Sequence, residues 1–385
     1  MSKRVNYWLK YVLTVFGITI IIFFVINVFL GVIFSIRDNI KGKQKFSEET
    51  TSIEYDKDGI NDNKINLLLR ESWTKHFVYE PYTQFKEHPR NNIYWNITEY
   101  GFRSIENQGP WPLDSNSINI FIFGGSTTFG YGVSDYQTIP SYLQKHLRDQ
   151  LKDVYVYNFG RGYYYSTQER ILYEKLLSEG HLPDAVIFID GLNEFFNHQN
   201  IPVMTGLINN YINSHDFYST HLKKFFISLF GKLPLIRLYE TLVSENDYVE
   251  EEVNGKNNTS TENHDFLPRR VRNTYLNNKK MIEAVSKAYG IKPFFVWQPV
   301  PVYNSDLIRK EKGWFLICKK GYTLMNTKRL NNEMGKNFIW LADIQENFDA
   351  KSLYVDQVHY SPKFSSEIAI LISNYIFTQF NQVIK

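Results

Sequence analysis

Two short stretches, far apart in the chain, carry residues that together could perform acyl transfer. Ser126 sits in GGSTTFG (124–130), directly after the apolar run INIFIFG (118–124), and His359 sits in VDQVHYSP (355–362), three residues after Asp356. A serine hydroxyl becomes a useful nucleophile when an adjacent base takes its proton. A histidine serves as that base when a partner on one ring nitrogen fixes its tautomer and leaves the other nitrogen facing the hydroxyl. An aspartate three residues earlier on a tight turn can be that partner. Each motif also has a plainer meaning: GGST reads as a strand–helix turn or a phosphate loop, and Asp-x-x-His as a common surface loop. Nucleotide binding is disfavoured, since no lysine follows in Walker-A spacing and G-x-G-x-x-G is absent. DGLNEF (190–195) places Asn193 just after a further apolar run. Its amide could donate to an oxyanion developing on a substrate, or simply form a turn after Gly191. His198, close by, is expected at the surface.

The elements that must position these residues alternate between strand and helix. Apolar runs predict strands at 118–124, 154–160, 184–191, 292–299 and 337–344. Between and after them, helical spacing predicts helices at 140–151, 166–180, 272–290 and 361–380. Ser166 with Glu169 forms a capping-box pattern and Gly180 a stop; Ser361 is a good N-cap followed by Pro362 at the first helical position. Such alternation implies an α/β fold with a parallel sheet covered on both faces, and in those sheets ligands bind beyond the carboxyl ends of the strands. Ser126, the NFGRGYYYSTQE stretch (158–169), Asn193 and Asp356/His359 fall in that order after the first, second, third and last strands. This conjunction is far less expected by chance than any single motif.

The rest of the chain bounds the setting. It has 385 residues, enough for a sizeable core, and a net charge of +3, too small to argue for nucleic acid. The 27 Tyr and 29 Phe are expected mostly in core and surface, with a minority able to line a sugar or acyl pocket. Cys318 is the single cysteine, so no intrachain disulfide or Cys-based metal site is possible. Residues 11–36 carry no charge and exceed the roughly 20 residues needed to cross a bilayer. With no small-residue cleavage site following, they read as an uncleaved transmembrane helix. Lys3, Arg4 and Lys10 before the span are balanced by Arg37, Lys41, Lys43 and Lys45 after it, so the positive-inside rule gives no vote. The simpler topology keeps the short tail (1–10) inside and the large domain outside. Residues 37–50 read as a linker, 51–115 as an N-terminal extension packing on the main domain, and 116–385 as that domain, interrupted by an insertion at about 200–265. Within it, 200–243 could be a helical insertion or a lid, and 244–265 an acidic, polar surface loop.

On these motifs the chain resembles the SGNH hydrolase superfamily of GDSL-like type. Gly124-Gly125-Ser126-Thr127-Thr128 resembles the family's first block, with Gly125 where Asp is usual. Gly191-Leu192-Asn193-Glu194 resembles its Gly-x-Asn-Asp block, and Asp356/His359 matches its Asp-x-x-His block without change. The second block carries a glycine whose N–H helps form the oxyanion hole; its pattern falls on Tyr163, one residue after Gly162. ITEYGFRS (97–104) resembles the segment before the first block. The resemblance, over roughly 118–380, implies a three-layer, flavodoxin-like fold with a five-stranded parallel sheet. It implies a catalytic Ser126, His359 and Asp356, with oxyanion donors from Ser126, Gly162 or Tyr163, and Asn193. No metal or cofactor is implied. The implied substrate is an O-acylated glycan or lipid, which an esterase or deacylase would hydrolyse; an O-acyltransferase would pass the acyl group to a surface polysaccharide, and a non-catalytic glycan-binding or scaffold protein on the same fold is the third alternative.

Overall fold

The computed structural model describes residues 2–50, 62–74, 77–206, 233–238, 263–304, 313–348 and 353–381. Residues 207–232 and 239–262 of the expected insertion lie outside them. The chain divides into two compact units, Met1–Glu48 with Ile208–Asn258, and Glu49–Leu207 with Thr259–Lys385.

The first unit is built on helix α1 (Ser2–Thr50). Its stretch Tyr7–Arg37 is 31 residues long with a mean hydropathy of 2.8 and is long and apolar enough to cross a membrane. Phe16, Ile21, Phe24 and Phe29 are exposed along it, as residues meant for lipid would be. The helix continues through the expected linker 37–50. RDNIKGKQKFSEET is polar, but its Lys, Gln and Glu residues are good helix formers, and polarity alone does not stop a helix already nucleated upstream.

The second unit begins with α2 (Asp62–Trp73) and an antiparallel hairpin, β1 (Phe77–Glu80) and β2 (Gln84–Glu87). There follow β3 (Ile118–Gly124), α3 (Ser126–Phe129), α4 (Ile139–Arg148), β4 (Val154–Asn158), α5 (Ser166–Ser178), β5 (Ala185–Asp190) and α6 (Leu192–Phe196). After the insertion come α7 (Asn263–Tyr289), β6 (Lys292–Trp297), α8 (Trp314–Leu330), β7 (Phe338–Trp340) and α9 (Pro362–Asn381). The five strands pair in parallel in the order β4-β3-β5-β6-β7. This is the flavodoxin-like order, with its switch point between β3 and β5, and it is the architecture the sequence resemblance implies.

Strand alternation divides the core by chemistry. Phe121, Phe123, Phe188 and Phe295 face Leu172 and Leu176 of α5, Tyr275 and Ile282 of α7, and Tyr322 and Met325 of α8. Ile120, Ile122, Ile187 and Val296 face Leu143 and Leu147 of α4 and Ile368 and Ile372 of α9. The period of two places successive side chains on opposite layers, so each strand is buried on both sides and reads as a continuous apolar run. Helix α8 was not foreseen because WFLICKKGYTLMNTKRL mixes apolar and basic residues without a clear stripe. Helix α7 starts nine residues before the expected 272. The capping-box reading of Ser166 is also corrected. Tyr165 is the N-cap of α5, while Ser166 donates through N (2.6 Å) and Oγ (2.9 Å) to the Glu194 carboxylate. At the last helix Ser361 does cap: its Oγ accepts from Phe364 N at 3.2 Å.

Candidate active site

Strand β3 delivers the chain to the switch point and Ser126 is the first residue of α3, immediately beyond it. The tight turn is held by Phe129 N and Gly130 N, which donate to Gly125 O and Ser126 O at 3.0 and 2.9 Å. Arg103, fully buried, clamps the far side of that turn. Its guanidinium donates to the carbonyls of Phe129, Gly130 and Val133 at 2.8, 2.5 and 2.7 Å and pairs with Asp135 at 2.9 Å. The ITEYGFRS segment therefore supplies the brace for the serine turn.

His359 arrives on the loop before α9. Val355 N donates to His359 O at 2.8 Å and closes a turn in which Asp356 Oδ1 accepts from Val358 N (2.8 Å) and His359 N (2.7 Å). Asp356 Oδ2 then lies 2.7 Å from His359 Nδ1, and His359 Nε2 lies 2.8 Å from Ser126 Oγ. A carboxylate can only accept, so it fixes the proton on Nδ1 and leaves Nε2 to accept from the serine hydroxyl. Burial would raise the Asp356 pKa; the facing His359 ring and the hydrogen bonds from His359 and Val358 outweigh it and hold the carboxyl below its usual range. The imidazole is 7% exposed and abuts two aromatic rings, Trp73 at 5.5 Å and Tyr131 at 5.7 Å between centroids.

Asn193, the second residue of α6, reaches back to the same place. Its Nδ2 donates to Tyr164 O at 2.7 Å, and a Cβ on residue 125 would collide with it. The loop after β4 is fixed around Tyr163. Arg161 N donates to Gly124 O at 2.9 Å, and Asn197 Nδ2 donates to Tyr163 O at 3.0 Å. Gly162 N donates to the buried Glu87 carboxylate at 2.7 Å. The N–H of Gly162, expected as one of two alternative oxyanion donors, is thus paired with Glu87. Tyr163 instead holds φ +64°, the left-handed region that a glycine takes readily and a bulky residue does not. Its ring rests on Phe77 and Phe196, at 6.3 and 6.1 Å.

Behind α6 lies a cluster of three fully buried carboxyls from successive elements, Glu169 (α5), Asp190 (β5) and Glu194 (α6). Burial pushes all three up, Glu194 to about 7, and mutual repulsion adds to the rise at Glu169 and Asp190. Among the described residues no group of His, Cys, Asp and Glu is arranged to hold a metal ion. His198 is half-buried just past α6, where its carbonyl accepts from Arg270 at 2.9 Å; it takes no part in the triad's hydrogen bonds. Gln298, buried after β6, accepts from Thr127 (2.7 Å) and Tyr360 (2.9 Å), tying the serine helix to the histidine loop.

Trp73, Glu87, Tyr131 and Gln298 were not legible as site residues. Trp73 ends an amphipathic helix and Glu87 occupies a strand position where a carboxylate ordinarily faces water. Neither carries a local signal for where the extension docks.

No protein-family model and no curated protein matches the chain. Solved structures similar to it include a member of the lipolytic G-D-S-L family from Veillonella parvula, at 11% identity over 68% of this chain and 98% of that one, with a TM-score of 0.35. A lipase/acylhydrolase from Enterococcus faecalis is 14% identical over 68% and 96%, with a TM-score of 0.36. The esterase EstA from a Pseudoalteromonas species is 11% identical over 69% and 100%, with a TM-score of 0.37. At such identities and scores these likenesses carry nothing further, and the functional reading rests on the chain's own geometry.

Proposed function

We propose that this chain is an SGNH-type serine esterase or deacylase, anchored in the membrane by its N-terminal helix, that removes acyl groups from an O-acylated surface glycan or lipid. The observation that carries the reading is the unbroken relay from Asp356 through His359 to Ser126, with steps of 2.7 and 2.8 Å. In the first half-reaction His359 Nε2 takes the Ser126 proton as Oγ bonds to the ester carbonyl carbon. The resulting imidazolium is stabilised by Asp356, which stays ionised because its pKa is held low. The oxyanion is met by the Ser126 N–H, the Tyr163 N–H and the Asn193 amide. His359 then returns its proton to the leaving alcohol, and water repeats the sequence on the acyl-enzyme. Ser126, His359 and Asp356 are thus assigned as nucleophile, base and orienting acid. No step needs a metal.

The test is hydrolysis of p-nitrophenyl acetate by the full chain in detergent, beside Ser126→Ala. Turnover that vanishes in the variant supports the acyl-enzyme route; turnover unchanged in the variant, or none in either folded protein, sinks it. Adding an acceptor sugar separates hydrolysis from transfer: acyl sugar formed faster than free acid moves the reading to an O-acyltransferase. The catalytic domain is assigned to the outer side of the membrane, where an O-acylated surface glycan or lipid would be met. A cysteine at exposed Lys363 should react with an impermeant reagent in intact cells, and failure to react there but not in lysed cells reverses the orientation.

A further inference from the structure

The first unit contains a contact that an anchor helix alone does not explain. Within the apolar stretch Tyr7–Arg37, Asn27 is 6% exposed and Phe34 is 5% exposed, although their neighbours along the helix are open. Asn27, Gly31 and Phe34 recur at i, i+4 and i+7 and so share one face. The segment Leu233–Leu238, part of the insertion between α6 and α7, packs on that face. Leu235 N donates to Asn27 Oδ1 at 3.1 Å. A Cβ at Gly31 would already lie 3.4 Å from Pro234 Cγ, so the missing side chain lets the two backbones approach. The Arg237 guanidinium lies 4.5 Å above the Phe34 ring.

Hydrogen bonding at this joint matches what hydrocarbon demands. Asn27 is roughly 15 Å inside the Arg37 end of the span at about 1.5 Å per residue, near mid-depth in a core about 30 Å thick. At that depth no water can pair an exposed N–H, so irregular backbone persists only where protein satisfies it. A helical turn begins with N–H groups that have no carbonyl of their own. Here Pro234 has none to satisfy, Leu235 N is paired by Asn27, and Ile236 N and Arg237 N donate to Leu233 O at 3.0 and 3.1 Å. The charged residue of the segment stacks at Phe34, closer to the Arg37 end, from which a long side chain reaches the interface. Ahead of LPLIRL (233–238) the sequence reads FFISLF (225–230) and then Gly231-Lys232.

We propose that the insertion re-enters the bilayer at Leu233–Leu238 and docks there on the anchor helix, so that lipid is the partner of this segment. The chain is then held in the membrane at two places, once before the serine turn and once between α6 and α7. This rests on reading Tyr7–Arg37 as a membrane span.

The experiment uses the full chain in nanodiscs of phosphatidylethanolamine and phosphatidylglycerol. A single cysteine at Ile236 or at Val25 is labelled with an environment-sensitive dye; Cys318 is fully buried and stays unlabelled. The Ile236 dye should emit in the blue and lose intensity to doxyl-labelled lipid as fully as the Val25 dye does. Val25 in lipid with Ile236 in water overturns the re-entry alone. Val25 in water overturns the span reading and the re-entry with it. Asn27→Leu removes the partner of Leu235 N and should release the Ile236 dye to water while Val25 stays quenched. Quenching at Ile236 that survives Asn27→Leu overturns the docking on the anchor.

Discussion

Gly125 and Asn193 set each other's identity. The Asn193 amide occupies the space that a side chain on residue 125 would fill, so the aspartate usual in the first block of the resembled family has no room here. This exchange was legible as a departure from the motif, yet its cause was not, because the two residues lie on different strands' exits. Two outcomes follow. Asn193→Ala should lower kcat by about 10²–10³, the usual loss for one oxyanion donor, and near-normal turnover would remove Asn193 from the site. Gly125→Asp should do similar damage without touching the triad, since the new side chain must push the amide off Tyr164 O. Steady-state kinetics decide this, with phosphonylation of Ser126 as a readout of the oxyanion site; full activity in Gly125→Asp would show that the amide need not sit there.

At the scale of elements, strands β3 to β7 and helices α4, α5, α7 and α9 were legible because each buries its apolar residues by a local period. The elements of the N-terminal extension were not, because its α2 and its β1–β2 hairpin owe their place to docking rather than to periodicity. Yet they supply the two contacts that stiffen the site. Trp73 packs edge-on against His359, and Glu87 takes the N–H of Gly162, next to the left-handed Tyr163, while also accepting from Tyr131 Oη at 3.3 Å. Burial raises the Glu87 pKa, although the hydrogen bond from Gly162 and the nearby Arg161 charge pull it back. Glu87 is thus a positioning residue: it touches the loop that holds the donor and the ring that abuts the base. Glu87→Ala leaves a buried N–H unpaired, costing about 1–3 kcal/mol of stability. By letting the loop drift it should also cut kcat by up to about 10². KM should change little. Glu87→Gln keeps an acceptor at Oε1 and should restore most of kcat. If Ala and Gln lose stability alike and neither alters kcat, Glu87 serves the fold only.

For the whole molecule, the unusual feature is that three buried carboxyls lie together behind α6, and no cation pairs with them among the described residues. Single-residue reading could not find them: Glu169 looked like a capping-box acid and Glu194 like a conservative exchange in a motif, and only the crossing of α5, β5 and α6 brings them together. The cluster contributes to the pH dependence of folding. All three acids have folded pKa values above those of the unfolded chain, so the folded state binds protons more tightly. Their stabilisation is fully present below the unfolded carboxyl value near 4.5 and is lost as pH rises towards the Glu194 value of about 7. Asp356 acts with the opposite sign: its depressed pKa stabilises above the ordinary carboxyl range and is lost on acidification. The Asp356 loss lies below the ordinary carboxyl range and does not oppose the Glu194 contribution to Tm, which should fall between about pH 4.5 and 7. Glu194→Gln keeps an acceptor for Ser166 N and removes one titrating proton. Thermal melts across this window should therefore show a shallower decline in the variant, the two curves converging at the acid end. Parallel curves would mean that Glu194 is ionised throughout and that the cluster is wetter than its burial implies.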